Sequence, residues 1–189
     1  MNRSLYKIFI VTSLTLAAAC GRRAEVGLPL PNAYPRPNLP DTVLTAVNGI
    51  PFHFLANEDA ETEFPRKDWL DIKYPTLGAT VHVTFSETTP DEITGVKENR
   101  MQRLMLNAGE RQIDFSEFTN KAGFSILTAS AEGAATPFQF LATDDSACVV
   151  SGAVYFSSPD APGAVDSIRP MVKAIRHDLL RALDAFDYR

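Results

Sequence analysis

The stretch TPFQFLATDDSACVVSGAVYF, residues 136–156, predicts the type of fold. It contains two apolar runs, Thr136–Thr143 and Cys148–Phe156, with an Asp-Asp-Ser sequence between them that favours a turn. Short apolar runs joined by such turns are typical of antiparallel hairpins. A third run, Gly123–Ala131, precedes them across the turn residues Glu132-Gly133. We therefore predict three consecutive antiparallel strands in this part of the chain.

Strand patterns also occupy the first half of the chain. Leu70–Tyr74 and Ala79–Phe85 are predicted strands, and the second alternates apolar residues with His82 and Thr84. Val43–Val47 and Ile50–Leu55 flank Asn48-Gly49, a dipeptide that favours a two-residue hairpin turn. The sequence thus predicts a tight hairpin at this point.

Two segments have the spacing of helices. Thr89-Pro90-Asp91-Glu92 is a capping box with proline at the first helical position, and the predicted helix ends near Gly109. The second helix begins after a cap at Asp166 or Ser167 and carries one apolar stripe, expected to be the most buried helical face. Apolar residues of the first helix are Ile93, Val96, Met101, Leu104 and Met105, and those of the second are Ile168, Met171, Val172, Ile175, Leu179, Ala182, Leu183 and Phe186.

Hairpins combined with two helices predict an α+β fold. We expect residues 41–189 to form a single domain, an antiparallel sheet built from hairpins with helices packed on its faces. The order of hairpins, helix, hairpins and terminal helix is similar to the Mog1/PsbP-type α-β-α sandwich. That similarity concerns the order of elements alone.

The N-terminus has the pattern of a signal peptide. Arg3 and Lys7 precede the apolar stretch Ile8–Ala19, which is shorter than the roughly 20 residues that a membrane-spanning helix needs. Leu16-Ala17-Ala18-Ala19-Cys20 resembles a bacterial lipobox, which implies cleavage after residue 19 and lipidation of Cys20. The alternative is an ordinary secretory signal followed by an unmodified cysteine. Two or three acyl chains on Cys20 would give a stable membrane anchor.

Residues 20–40 are predicted to link the anchor to the domain. Gly27–Pro40 contains five prolines, and proline-rich segments are extended and semi-rigid. With Cys20 lipidated, Cys148 has no intramolecular partner, so we expect no internal disulfide. Cys148 lies in an apolar run and is expected to be a buried thiol rather than a reactive one.

The charge of the chain argues against nucleic acid as a partner. The formal net charge is −5, and removal of Arg3 and Lys7 with the signal peptide makes it −7. There is no run of basic residues, whereas nucleic-acid-binding proteins carry a basic patch. Arg169, Lys173 and Arg176 in the last helix are expected to form a solvated face.

No catalytic residue, metal ligand or cofactor site is predicted. The chain has three histidines, none with the spacing of a metal pair, and no phosphate-binding loop or nucleophile elbow. A nucleophile and base assembled from distant positions, such as Ser151 with His82, remains an alternative. Asp144 and Asp145 with Glu132 are compatible with a calcium site, although adjacent aspartates in a hairpin are more typical of a turn.

Five aromatic residues are candidates for contact with a partner. They are Tyr34, Phe52, Phe54, Trp69 and Tyr74. The alternative is that they pack in the core, since aromatic side chains mostly bury.

Several strings resemble the gliding-motility lipoprotein family GldD of the Bacteroidota. They are YPRP (34–37), PFHF (51–54), WLDIKYP (69–75), Arg100 in a helix, EGAATPFQFLATDDS (132–146) and SGAVYF (151–156). The family has EGNAASPVQFFLTDS and RGALYF at the last two positions. Ala134 and Ser151 therefore replace an Asn and an Arg, so any ligand that those two residues bind has lost part of its site here.

The resemblance implies a non-enzymatic envelope lipoprotein of the gliding-motility and type IX secretion machinery. Its partners would be the membrane, through Cys20, and other envelope proteins, and its role structural or one of assembly. Surface-exposed lipoproteins of this phylum usually carry acidic residues soon after the cysteine, whereas Gly21-Arg22-Arg23-Ala24 follows Cys20 here. We therefore expect the domain to face the periplasm. The alternative function is a lipid-tethered binding module for a small envelope ligand.

Overall fold

The computed structural model describes residues 43–157 and 164–188. Strands β1 (Leu44–Ala46) and β2 (Leu55–Asn57) form a small sheet. The main sheet contains β3 (Glu61–Arg66), β4 (Trp69–Tyr74), β5 (Ala79–Glu87), β6 (Asp114–Thr119), β7 (Ser125–Ser130), β8 (Phe138–Thr143) and β9 (Cys148–Phe156). The helices are α1 (Ile93–Ala108) and α2 (Ala164–Asp184), with a 3₁₀ turn at Pro75–Leu77. The predicted signal peptide, Cys20, Tyr34 and the proline-rich linker lie outside the described residues.

The main sheet is antiparallel throughout, in the order β3-β4-β5-β9-β8-β7-β6. Its centre is the long pair β5 and β9, which runs from Ala79 opposite Phe156 to Glu87 opposite Cys148. This architecture confirms the predicted α+β class.

The larger core lies between the sheet and α2. Strand residues such as Val81, Phe138 and Phe140 are buried with Ile175 and Leu179 of the helix in one cluster. Two phenylalanines from the segment before β2 complete this cluster. Phe52 stacks on Phe85 with 5.1 Å between ring centroids, and Phe54 stacks on Phe140 at 6.3 Å.

The other face of the sheet carries α1. Leu141 and Val149 alternate with Phe140 and Val150 along their strands, so they point away from the larger core. They form a small buried cluster with Ile93 at the start of α1. The sheet is therefore a middle layer between two helices, and α1 covers its face over β8 and β9.

The strand predictions were accurate in the core and failed at the edges. β9 has the predicted bounds, and β7 and β8 start two residues later than predicted. The edge strands β3 and β6 were not predicted. Both are almost entirely exposed, so neither has the apolar alternation that identifies a half-buried strand.

The predicted tight hairpin at Asn48-Gly49 is wrong. β1 and β2 do pair, but Ala46 lies opposite Leu55, so a longer loop separates them. Burial of the loop accounts for the difference, because Phe52 and Phe54 insert into the core. The backbone N–H of His53 donates to the carbonyl of Asp187 at 2.7 Å, which ties the loop to the chain after α2.

Both helices start at positions other than those predicted. α1 begins at Ile93, after a turn in which the carbonyl of Thr89 accepts the N–H groups of Glu92 and Ile93. The Thr89 hydroxyl donates to the Glu92 carboxylate at 3.0 Å, whereas a capping box would have it accept a backbone N–H. α2 begins at Ala164, before the predicted caps. In the described part of the chain, neither helix is long and apolar enough to cross a membrane.

Cys148 is buried, as predicted. Its side chain belongs to the larger core, and it is a free thiol. Burial raises the pKa of the Cys148 thiol to about 12, and the nearby charge of Asp144 acts in the same direction.

Gly152 in β9 allows close packing across the sheet. A Cβ at this position would overlap the ring of Phe140, so the ring would have to move. Because Phe140 also stacks on Phe54 in the core, we expect Gly152→Ala to lower the free energy of unfolding by about 1–3 kcal/mol, measured by chemical denaturation. In a Phe140→Leu background the same change should cost clearly less. An equal loss in both backgrounds would show that the ring is not the cause.

Candidate functional site

A cavity of about 380 Å³ lies beside α1, on the part of the sheet face that this helix does not cover. Its floor comes from β5, β8 and β9, its wall from one flank of α1, and Trp69 of β4 lies at its margin. Its lining includes Trp69, His82, Thr84, Arg100, Arg103, Leu104, Asn107, Gln139, Ser151 and Tyr155. Volumes of several hundred Å³ with converging polar groups are typical of small-molecule sites.

Strand register explains why polar residues form the floor. Thr84 lies opposite Ser151, and His82 lies opposite Ala153, two residues from Tyr155. Side chains two positions apart share a face, so all of these groups point toward α1. The apolar residues between them face the core on the α2 side. The polar half of the alternation in β5 therefore becomes the floor of the cavity.

Gln139 fixes α1 to the floor. This buried amide donates to the backbone carbonyl of Leu104 at 3.1 Å and accepts from the side-chain amide of Asn107, also at 3.1 Å. Both ends of the amide are therefore satisfied by the helix. The distance between α1 and the sheet is set by these bonds, so the cavity is preformed.

Two arginines of α1 form the positively charged wall. Arg100 is partly buried and donates to the hydroxyl of Ser86 at 2.7 Å. Burial lowers the pKa of Arg100, and the positive charge of Arg103 lowers it further. No carboxylate is among the residues that line this cavity.

His82 and Ser151 both line the cavity. His82 Nδ1 lies 2.7 Å from Asp71 Oδ1, and its ring packs edge-on against Tyr155 at 5.2 Å. Among the described residues, Ser151 and His82 share no hydrogen bond. The arrangement thus lacks the contact between nucleophile and base that this chemistry requires.

The structure separates the candidate aromatic residues. Phe52, Phe54 and Tyr74 are buried in the core, so they cannot reach a partner while the domain is folded. Trp69 is 39% exposed, and the guanidinium of Arg66 lies 4.7 Å from its ring centroid. Tyr34 lies outside the described residues. Trp69 is therefore the candidate that remains available at the surface of the described domain.

The acidic turn between β8 and β9 is engaged in structural contacts. Asp144 Oδ1 accepts the backbone N–H groups of Ser146, Ala147 and Cys148 at 3.0, 2.8 and 3.1 Å. Burial would raise the pKa of Asp144, but these bonds outweigh it and hold the pKa below its usual value. Asp145 pairs with Lys97, and Glu132 pairs with Arg169.

No group of three or more His, Cys, Asp or Glu side chains in the described part of the chain is placed to hold a metal ion. The Asp144 carboxylate also accepts hydrogen bonds from the backbone N–H groups of the turn itself. These contacts are those of a structural hairpin turn.

Sequence reasoning missed the arginine wall. Arg103 was not singled out, although it lies three residues after Arg100 and therefore on the same side of a helix. His82, Thr84 and Ser86 occupy every second position of β5, and this spacing predicts a polar face on that strand. Neither signal shows that helix and strand lie together, because that depends on the tertiary fold.

The chain matches a known family over nearly its whole length. The family described as gliding motility lipoprotein GldD matches residues 24–188. No curated protein matches the chain. Family membership implies membrane anchoring and involvement in gliding motility, and the match covers most of the predicted linker as well as all described strands and helices. The chain therefore belongs to the gliding motility lipoprotein GldD family.

Proposed function

We propose that this chain is a non-enzymatic structural or assembly factor of the gliding and type IX secretion machinery, held by lipidated Cys20 and facing the periplasm. In this role it acts through contacts with other envelope proteins. The observation that carries the proposal is the edge strand β6, whose outer side pairs with no strand in the described part of the chain and which carries an exposed aromatic residue.

The two edges of the main sheet differ in how they are protected. β3 contains Pro65 and charged residues, and its register shifts between Glu63 and Arg66, features that discourage pairing with another chain. β6 pairs with β7 in unbroken register from Asp114 to Thr119 and has neither proline nor lysine. Its outer backbone groups can therefore pair with an extended segment of a partner protein.

Phe115 is the expected anchor for that partner. Its side chain is 46% exposed, and aromatic anchors often dominate the binding energy of an interface. We expect Phe115→Ser to reduce recovery of envelope partners roughly five- to thirty-fold, as loss of 1–2 kcal/mol implies. The measurement is cross-linking in the native host, followed by purification of the tagged, full-length lipoprotein and quantitative mass spectrometry.

Phe64 in β3 provides a matched control. It is 45% exposed, also on an edge strand, and a Cβ added at Gly49 would lie 3.9 Å from its ring. Phe64→Ser should leave the recovered partners unchanged. Equal recovery from wild type, Phe115→Ser and Phe64→Ser would mean that β6 is not the interface.

A second function is favoured by the cavity under α1. Its preformed walls and convergent polar groups suit a lipid-tethered module that binds a small envelope ligand. A non-enzymatic role is supported by the missing hydrogen bond between Ser151 and His82 in the described fold. The two functions are compatible, because β7 lies between β6 and β8, the nearest strand of the cavity floor.

A further inference from the structure

Neither arginine of the cavity wall forms an ion pair with an acidic side chain in the described part of the chain. Arg100 donates to the neutral hydroxyl of Ser86. Arg103 has no hydrogen bond or ion pair within the described part of the chain. In contrast, ion pairs elsewhere join Lys73 to Glu63, Lys97 to Asp145, Lys121 to Asp184 and Arg169 to Glu132. No direct ion pair in the described part of the chain therefore neutralises the two charges of the wall.

The acidic groups near the cavity lie outside its own lining. The Asp71 carboxylate is held by His82 at 2.7 Å. Glu87, Asp91 and Glu92 line a neighbouring groove toward the start of α1, and the two arginines border that groove as well. An anion is therefore favoured at the end of the cavity near Arg103 and Asn107, and disfavoured at the other end.

The remaining lining offers groups suited to a hydroxylated molecule. Thr84, Ser151 and Tyr155 provide hydroxyls that both donate and accept hydrogen bonds. Trp69 provides an aromatic surface at the margin. Gln139 and Asn107 bond to each other, so they shape the cavity more than they recognise a ligand. A volume of about 380 Å³ accommodates a molecule the size of a sugar.

We propose that this cavity binds a phosphate monoester of a sugar-sized polyol, with Arg100 and Arg103 on the phosphate and the strand hydroxyls on the polyol. The proposal names the ligand class of the small-ligand module proposed above and rests on that function. A phosphate monoester carries a charge of about −1.5 to −2 at neutral pH, which two guanidinium groups balance. Arginine also matches phosphate oxygens with paired N–H donors.

The test uses the full-length lipidated protein in detergent micelles and glucose 1-phosphate as the probe. The sequence contains a single tryptophan, so its fluorescence reports on the margin of this cavity. We expect a saturable change in emission on titration with glucose 1-phosphate. Arg103→Gln and Arg100→Gln should each weaken binding about tenfold or more, since each removes charged hydrogen bonds to the phosphate.

Arg111→Gln is the matched control. Arg111 is exposed and absent from the lining of the cavity, so this change should leave the affinity unaltered. Arg100 is partly buried and its replacement can loosen α1, which thermal unfolding would reveal. Arg103 is exposed and bonds to no other described group, so Arg103→Gln tests the proposal without that complication.

Methyl glucoside separates failure of this proposal from failure of the module itself. If the uncharged glucoside binds as tightly as glucose 1-phosphate and the arginine variants change nothing, the anion proposal is overturned while a small-ligand module stands. If neither compound binds, both are overturned. Dihexanoylphosphatidic acid distinguishes the source of the phosphate group: tighter binding than glucose 1-phosphate supports a lipid headgroup, and weaker binding a free solute.

Discussion

Leu179→Ala in α2 is expected to lower the free energy of unfolding by about 2–5 kcal/mol, with Ile175→Ala in the same range. Leu179 is 2% exposed and Ile175 fully buried, and both pack in the cluster that the sheet and the Phe52–Phe54 segment complete. Truncation leaves a cavity that the sheet cannot close, because hydrogen bonding between its seven strands limits their movement. Denaturant titration followed by circular dichroism measures the change.

Lys173→Ala is the control for this pair. Lys173 lies on the exposed side of the same helix, so its replacement should change stability by no more than about 0.5 kcal/mol. A loss below that value at both Leu179 and Ile175 would contradict the assignment of this stripe to the core.

Cys20→Ser is expected to move nearly all of the protein from the membrane fraction to the soluble fraction. Acyl chains contribute about 0.8 kcal/mol for each buried methylene, and two chains give stable anchoring. Radiolabelled palmitate and fractionation measure both effects. Cys148→Ser is the control and should retain label and membrane association, whereas unlabelled Cys20→Ser protein that still sediments with membranes would contradict the prediction.

The same cells test the proposed periplasmic orientation. A non-permeant protease added to intact cells should leave the domain undigested, and lysis should expose it. Digestion without lysis would place the domain on the cell surface. The basis of the prediction is Gly21-Arg22-Arg23-Ala24, in which two arginines next to the anchor favour contact with anionic headgroups by about 1 kcal/mol each.

Sequence patterns predicted the elements that bury a regular apolar face. β9 was predicted with its observed bounds because its residues are buried or half-buried along its length and turn residues precede it. β3 and β6 were not predicted because their residues are exposed and show no apolar alternation. These two strands form through backbone pairing with β4 and β7. Such pairing can include segments whose own sequence has no hydrophobic pattern. The periodicity of apolar residues in the sequence therefore cannot identify edge strands of this kind.

The aromatic candidates show what the sequence did contain. Trp69 and Tyr74 are five positions apart on β4, so a strand places them on opposite faces. One is 39% exposed and the other 2% exposed. The sequence spacing alone predicts that the two side chains lie on opposite faces of the strand. Which face is buried depends on α2, which lies about a hundred residues further along the chain. The cavity under α1 likewise required three strands and a helix to be placed together.

The burial of Cys148 limits the period in which the protein is chemically vulnerable after export. Burial raises the pKa of the Cys148 thiol well above its usual value, and thiolate is the form that attacks disulfides and oxidants. Once β8 and β9 have paired over this side chain, we expect the thiol to be unreactive in the proposed periplasmic location. Mixed disulfides can then form only in the interval between translocation and folding. Fast closure of the β8–β9 hairpin would thus protect the chain without any dedicated oxidoreductase.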